Sequence, residues 1–268
     1  MREPTTSKMI AFHEAPEELL VREPDCWVLH PQDEWHGFAT LEDGYCMLDP
    51  IKVSLLTPGL SKTGALEAWG IPASVLTSYL DQQGIVVEKT TNFTVLILFS
   101  LGITKGKWRT LVNVMLDFKR DYDANAPLSQ VLPQLVEAHP SYRGMGLKDL
   151  AQAMFEALRT LRGPALLAEA FSSLPTAVFS PIEIYERLVR GGVEQLTLEE
   201  MAGRIVATNI VPYPPGIPLM MPGESAGAAD GPVLWYLRLL KSSTDNSPAL
   251  PRRPMASRSL TASTGPIA

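Results

Sequence analysis

Hydrophobic and polar positions follow three rhythms along this chain. Residues 51–59, IKVSLLTPG, read as a strand stopped by Pro58-Gly59, and residues 72–84, PASVLTSYLDQQG, as a helix with Pro at its start and Gly at its end. Residues 85–89, IVVEK, read as a short strand. Residues 93–102, FTVLILFSLG, are apolar without alternation, the pattern of a strand buried on both faces beneath helices. Further on, Trp108, Leu111, Val112, Met115, Phe118 and Tyr122 fall at helical spacing opposite Lys and Arg, which predicts a long amphipathic helix.

From residue 126 to 241 the rhythm is mostly helical. Leu147, Leu150, Met154, Leu158 and Leu161 share one face, and TLEE at 197–200 is a capping box expected to open a helix over LEEMAGRIVATN. Next comes residues 210–224, IVPYPPGIPLMMPGE, with five prolines and two glycines. Proline fixes φ and has no N–H to give, so this ribbon is neither a helix nor a central strand. It holds Tyr213 between two prolines. A short apolar helix, PVLWYLRLLK, follows. From Ser242 the chain is rich in Pro and Ser and poor in large apolar residues, so disorder is expected there.

Composition narrows the function classes. A 268-residue chain that is 46% hydrophobic supports one large or two small domains with a real core. Net charge −6 argues against a polyanion-binding surface, so nucleic acid is not an expected partner. The first 21 residues lack a signal-peptide core, and no apolar run reaches the ~18 residues that cross a bilayer. A cytoplasmic protein without membrane association is expected. Cys26 and Cys46 match no zinc spacing and are expected to be reduced thiols, with no metal site.

Chemistry-bearing residues are few. The four histidines, His13, His30, His36 and His139, have no second ligand at metal spacing and no nucleophile elbow or dinucleotide loop beside them. Surface or hydrogen-bonded structural roles are expected. Glu88 ends an apolar strand, where crevices form in α/β layers, although on that position alone an exposed strand-end carboxylate is the favoured reading. Tyr213 has rigid flanks that suit a positioning group, and the alternative is a tyrosine packed under a loop.

Six blocks carry a resemblance: WHGF (35–38), MLDPIKVSLLTPG (47–59), GIPASVLTSYLDQQGIVVEKT (70–90), LFSLGITKGK (98–107), LDFKRDYD (116–123) and VPYPPGIPLMMPGE (211–224). Over residues 25–240 the chain resembles the C-terminal part of the bacterial arginine, lysine and ornithine decarboxylases, pyridoxal-phosphate enzymes of the aspartate aminotransferase fold. The resemblance implies an α/β (α+β) chain: a C-terminal subdomain of a fold-type I enzyme, then a mostly helical C-terminal domain. The implied division is a poorly defined segment 1–24, a small α/β subdomain 25–125, a helical domain 126–241 and a disordered tail 242–268. It further implies that Glu88 faces the distal cation of a basic amino-acid substrate, that Tyr213 lines the same pocket, and that the chain associates as a homo-oligomer or with decarboxylase subunits.

Departures from the family are equally specific. The aldimine lysine follows a histidine in S-x-H-K there, whereas here the histidines precede Glu14, Pro31, Gly37 and Pro140. No catalytic residue is therefore assigned, the cofactor-binding residues stay unknown, and the main pyridoxal-phosphate domain is expected outside this chain. KTTNF replaces the family's K-T-G-x-Y after Glu88, and the tail replaces its F-P-G-F-E-x-D-x-H-G segment. Two readings remain: a truncated or split decarboxylase, inactive as an isolated chain, or a non-catalytic fragment or regulatory subunit that docks onto full-length decarboxylase.

Overall fold

The computed structural model describes residues 14–31, 33, 36, 40–61, 64–212, 216–228, 231–245 and 260–263, with side chains up to residue 238. Their contacts divide into two units, residues 1–53 with 98–102, and residues 54–97 with 103–268.

In the first unit, helix α1 (Glu17–Arg22) leads into a 3-10 turn, Pro24–Cys26. The chain then pairs Val28 with Met47 in an antiparallel bridge, Leu29 N–H donating to the Cys46 carbonyl at 2.9 Å. Cys26, Leu29 and Asp33 are buried. Both cysteines are free thiols, Cys26 buried and Cys46 half-buried.

The second unit contains most of the fold. Strands β1 (Lys52–Leu56), β2 (Lys89–Thr90) and β3 (Thr94–Leu98) form a sheet in the order β1-β3-β2, of which Lys52, Val53 and Leu98 belong to the first unit. β2 and β3 make a tight antiparallel hairpin, Lys89 opposite Leu96 and Thr90 opposite Val95. Helix α2 (Ala73–Gln82) lies against it, the Thr77 and Thr90 hydroxyls 2.9 Å apart. Val95 and Ile97 are buried on one face of β3, whereas Thr94 and Leu96 are half-buried and Leu98 is exposed. The apolar run predicted burial on both faces. An antiparallel sheet can leave one face open, and an apolar run records composition rather than the number of covering layers.

Helix α3 (Lys105–Asp123) buries Leu111, Val114 and Phe118, with Met115 and Tyr122 half-buried. Trp108 and Val112 are exposed, so the stripe is narrower than its periodicity suggested. The buried Tyr79 hydroxyl donates to Asp121 at 2.6 Å and ties α2 to α3. Burial, then the Asp121 hydrogen bond, raises the Tyr79 pKa, so the phenol stays a donor.

Helices α4 (Leu128–Val131), α5 (Pro133–Ala138), α6 (Leu147–Thr160), α7 (Gly163–Ser172), α8 (Pro181–Val189) and α9 (Pro232–Asp245) make up the helical part. α6 is capped from a distance: Asn125, at φ 47°, accepts the N–H groups of Lys148 and Asp149 at its Oδ1, at 2.9 and 3.2 Å. The Asp149 carboxylate accepts the Gly146 N–H at 3.0 Å. The inward face of α6 is Leu147, Leu150, Ala151 and Phe155, all at most 1% exposed; Leu161 follows the helix and is exposed. Each of the two leucines and the phenylalanine contributes roughly 1.5–3 kcal/mol of transfer free energy.

The capping box at 197–200 is present: Glu200 accepts the Thr197 N–H at 2.9 Å and its hydroxyl at 2.8 Å. The predicted helix does not follow. Only a 3-10 turn, Leu198–Glu200, forms, and Gly203 at φ 69° turns the chain into an extended course. β-branched Ile205, Val206, Thr208 and Ile210 suit that course better than a helix. Their backbones bridge to the ribbon instead, Ile205 to Ser225 and Ile210 to Met220.

The expected disorder from Ser242 is also modified among the described residues. α9 continues to Asp245, and β5 (Leu260–Ser263) pairs antiparallel with β4 (Val193–Leu196). A ladder uses backbone groups, which side-chain composition does not report. Residues 246–259 and 264–268 lie outside the described residues. No described helix is long and apolar enough to cross a membrane.

Candidate functional site

The substrate-side candidate starts from the β2-β3 hairpin. Beyond the end of α2, Gly84 at φ 75° turns the chain, and Ile85 N–H returns to the Leu80 carbonyl at 2.9 Å, which fixes the entry of the next segment. That segment is not the predicted five-residue strand. Its ladder starts at Glu88, whose N–H donates to the Leu96 carbonyl at 2.9 Å, and only Lys89 and Thr90 form β2. The Thr91 and Thr94 hydroxyls, 2.6 Å apart, close the hairpin. Glu88 is therefore held by its backbone at the hairpin's start, with its side chain exposed. Among the described residues, no hydrogen-bond donor or cation is paired with its carboxylate.

Beneath the hairpin, the TPG and GIP motifs make a close backbone crossing. A Cβ at Gly59 would lie 2.8 Å from the Gly70 Cα and 2.9 Å from the Phe155 ring, and Gly59 sits at φ 122°. Ile71 N–H donates to the Pro58 carbonyl at 2.8 Å, and the rings of Phe93 and Phe155 meet edge-on at 6.0 Å. Thus two of the most recognisable motifs serve packing directly and the candidate site only by bracing it.

The ribbon is set differently. Gly223, φ 96°, packs so closely on Phe179 that a Cβ would overlap the Phe179 carbonyl. Its own carbonyl accepts the Val178 and Phe179 N–H groups at 2.9 and 3.1 Å, while its N–H donates to the Val206 carbonyl at 2.9 Å. Glu224 accepts the Met221 N–H at 2.7 Å, closing the turn. Leu219 and Met220 are buried with Leu166, Met201, Val206 and Leu234. Tyr213 lies outside the described residues, as do Pro214 and Pro215.

Of the histidines, His30 Nδ1 and Asp43 Oδ1 are 2.6 Å apart, His36 Nε2 is 2.8 Å from the His30 carbonyl, and His139 packs edge-on against Tyr142 at 5.7 Å. These are the hydrogen-bonded and packed environments of structural histidines; His13 lies outside the described residues. Surface cavities among the described residues include one of about 650 Å³ beside Arg162, Glu169 and Trp235 and one of about 460 Å³ beside Glu42, Tyr45 and Cys46. Glu88 lines neither.

A pyridoxal-phosphate cradle needs an enclosed lysine, an acid facing the pyridinium and donors for the phosphate. The described lysines do not fit that role. Lys52 pairs with Asp49 at 3.6 Å in solvent, Lys119 pairs with Asp123, and Lys105, Lys107 and Lys148 are exposed. Lys89 is half-buried on β2 and lines neither cavity.

The family described as "Orn/Lys/Arg decarboxylase, major domain" matches residues 3–107, and "Orn/Lys/Arg decarboxylase, C-terminal domain" matches residues 164–252. The major-domain match extends upstream of residue 25, where the sequence analysis placed the α/β boundary. The chain is 48% identical over 241 residues to the biodegradative arginine decarboxylase of Escherichia coli, covering 90% of this chain and 32% of that one. It is 48% identical over 217 residues to lysine decarboxylase LdcA of Pseudomonas aeruginosa, covering 81% and 29%. Among solved structures, the E. coli constitutive lysine decarboxylase superposes with a TM-score of 0.81 at 37% identity, covering 91% of this chain and 36% of that one. The chain thus spans about a third of the length of these relatives. With both domain descriptions matched and the fold shared with the solved enzyme, the chain belongs to the Orn/Lys/Arg decarboxylase family.

Proposed function

We propose that the chain is the C-terminal portion of a pyridoxal-phosphate-dependent decarboxylase that releases CO2 from a basic amino acid, arginine, lysine or ornithine. The observation that carries this reading is Glu88: a carboxylate with a fixed backbone and no partner among the described residues. A guanidinium or ammonium supplies the missing charge. In a cleft drier than the open surface, such a charge-assisted pair contributes about 1.5–3 kcal/mol, against roughly 0–1 kcal/mol in water. Tyr213 lines the same pocket on this reading, its proline neighbours lowering the entropy lost when substrate binds. All three substrates end in a cation, so Glu88 selects for charge, and chain length is read by the depth of the pocket.

The described lysines support placing the cofactor mainly on polypeptide outside this chain. No step through pyridoxal phosphate is assigned to these residues, and the isolated chain is inactive. The same observation supports a second reading, a non-catalytic or regulatory subunit docked on full-length decarboxylase. The chain works in the cytoplasm, where free thiols such as Cys26 and Cys46 persist.

The test is CO2 release from purified chain with pyridoxal phosphate and each of the three amino acids. A second arm adds a polypeptide carrying the family's S-x-H-K lysine. Silence alone and turnover in the mixture support the split-enzyme reading. Turnover by the chain alone overturns the assignment of the lysine elsewhere. Silence in both arms favours the non-catalytic reading.

A further inference from the structure

The segment that carries Glu88 is a strap between two posts on helix α2. At its start the Ile85 N–H donates to the Leu80 carbonyl at 2.9 Å. At its end the Thr90 and Thr77 hydroxyls are 2.9 Å apart, both side chains half-buried. Between the posts the core holds little: Val86 is 72% exposed, Val87 and Lys89 are half-buried, and Glu88 is exposed.

The posts themselves are fixed. α2 buries Val75, Leu76, Tyr79 and Leu80, and the Tyr79 hydroxyl donates to Asp121 on α3 at 2.6 Å. The ladder beside the strap is slight by comparison. β2 has two residues, below the roughly 3–10 of ordinary strands, and lies at an edge of its sheet. The Glu88 N–H bond to the Leu96 carbonyl sets Glu88 against β3, not against α2. The Thr91 and Thr94 hydroxyls close the hairpin on itself, and the Ala73 N–H donates to the Asn92 carbonyl at 2.9 Å, so these ties anchor the turn beyond Thr90. The Thr77–Thr90 pair is the side-chain tie that joins the Glu88 end of β2 to the helix.

We propose that the Thr77–Thr90 hydroxyl pair is a positioning device for Glu88, holding the strap on α2 so that the carboxylate is already in place when the substrate's distal cation arrives. The inference rests on the reading of Glu88 given above. Without the Thr90 hydroxyl the end of the strap is loose, and binding has to order it. That weakens substrate affinity and leaves the chemical step alone.

Hydrogen exchange on the full 268-residue chain tests the hold. Thr90→Val keeps the branched shape and removes the hydroxyl. It speeds exchange of the Glu88 amide about threefold to tenfold, the scale of one neutral hydrogen bond, and leaves the α2 amides unchanged. Thr90→Ser, which keeps the hydroxyl, retains the protection. A kinetic arm uses a hybrid in which this chain replaces the matching third of the E. coli arginine decarboxylase. There Thr90→Val raises KM for arginine by about the same factor with kcat nearly unchanged. In a Glu88→Gln background it has no further effect, because a residue that acts through another loses its influence once that partner is gone. Unchanged exchange at Glu88 in Thr90→Val overturns the proposal. So does a Thr90→Val effect that adds in full to Glu88→Gln, the mark of a merely structural hydroxyl. A Glu88→Gln hybrid with unchanged kinetics is a separate failure: it removes the Glu88 reading itself, and this inference with it.

Discussion

The hairpin module around β1, β2 and β3 and the ribbon region around residues 205–226 both depend on a glycine that no other residue can replace, yet for different reasons. Gly59 lets the backbone approach Gly70 under the rings of Phe93 and Phe155, so it serves a core contact. Gly223 lets the ribbon lie against the Phe179 carbonyl, so it serves a ladder of backbone hydrogen bonds. The first is backed by helices α2 and α6; the second by short bridges at Ala177, Ile205 and Ile210. Gly59 thus sits inside a core contact, whereas Gly223 sets backbone bonds beside the core in which Leu219 and Met220 are buried.

The largest expected effects break that contrast directly. Gly59→Ala forces a Cβ against two rings and a backbone, at an unfavourable φ, and costs about 3–4 kcal/mol of global stability. Gly223→Ala costs about 3 kcal/mol locally by the same rule. Denaturant unfolding with hydrogen exchange separates them. Gly59→Ala lowers protection throughout the second unit, while Gly223→Ala lowers it first at the Val178, Phe179 and Val206 amides. If Gly223→Ala lowers protection uniformly, the ribbon is not a separate local element.

A smaller effect, with opposite signs, sharpens the comparison. Tyr79 gives its hydroxyl to Asp121, whereas Tyr142, 1% exposed, has a hydroxyl without a partner among the described residues, and burial pushes its pKa up to about 12. Tyr79→Phe therefore destabilises by about 1 kcal/mol, and Tyr142→Phe is neutral or stabilises by up to about 1 kcal/mol. Thermal melts of the two variants check the signs.

The smallest effect is acid dependence. Hydrogen bonds from the Ser180 hydroxyl and N–H hold Glu183 below the usual carboxylate range. The Thr197 N–H and hydroxyl do the same for Glu200, and the Asn125 side chain and Gly146 N–H for Asp149. A depressed folded pKa gives stability that is present above the unfolded value and lost as pH falls through the folded one. Stability therefore declines below the ordinary carboxylate range, and Glu183→Gln makes that acid branch shallower. Because Glu183 opens nine-residue α8 and Glu200 only a 3-10 turn, Glu200→Gln has the weaker effect on helix content by circular dichroism.

What the sequence made legible was what lies within one period or one cap. α2 and α3 follow from apolar spacing with Pro and Gly punctuation, and β1 and β3 from apolar runs before a turn. The helix predicted after Thr197 failed because a cap only starts a helix. The β-branched residues beyond Gly203, Ile205 and Ile210, found bridge partners at Ser225 and Met220, which no local pattern contains. The Asn125 cap on α6 bridges more than twenty residues and was missed for the same reason. Glu88 was read as the end of a strand over residues 85–89, whereas it stands at the start of the β2 ladder, and its lack of a partner among the described residues required the fold.

The most direct test of the central claim is kinetic. In a hybrid, this chain replaces the matching third of the E. coli arginine decarboxylase, and kcat/KM for arginine and lysine is compared with Glu88→Gln and Glu88→Asp. Loss of a charge-assisted pair predicts about a 30-fold fall in kcat/KM for Glu88→Gln, carried mainly by KM, and partial retention for Glu88→Asp. An active hybrid whose kcat/KM is unchanged by Glu88→Gln would contradict the assignment of Glu88 to the substrate's distal cation.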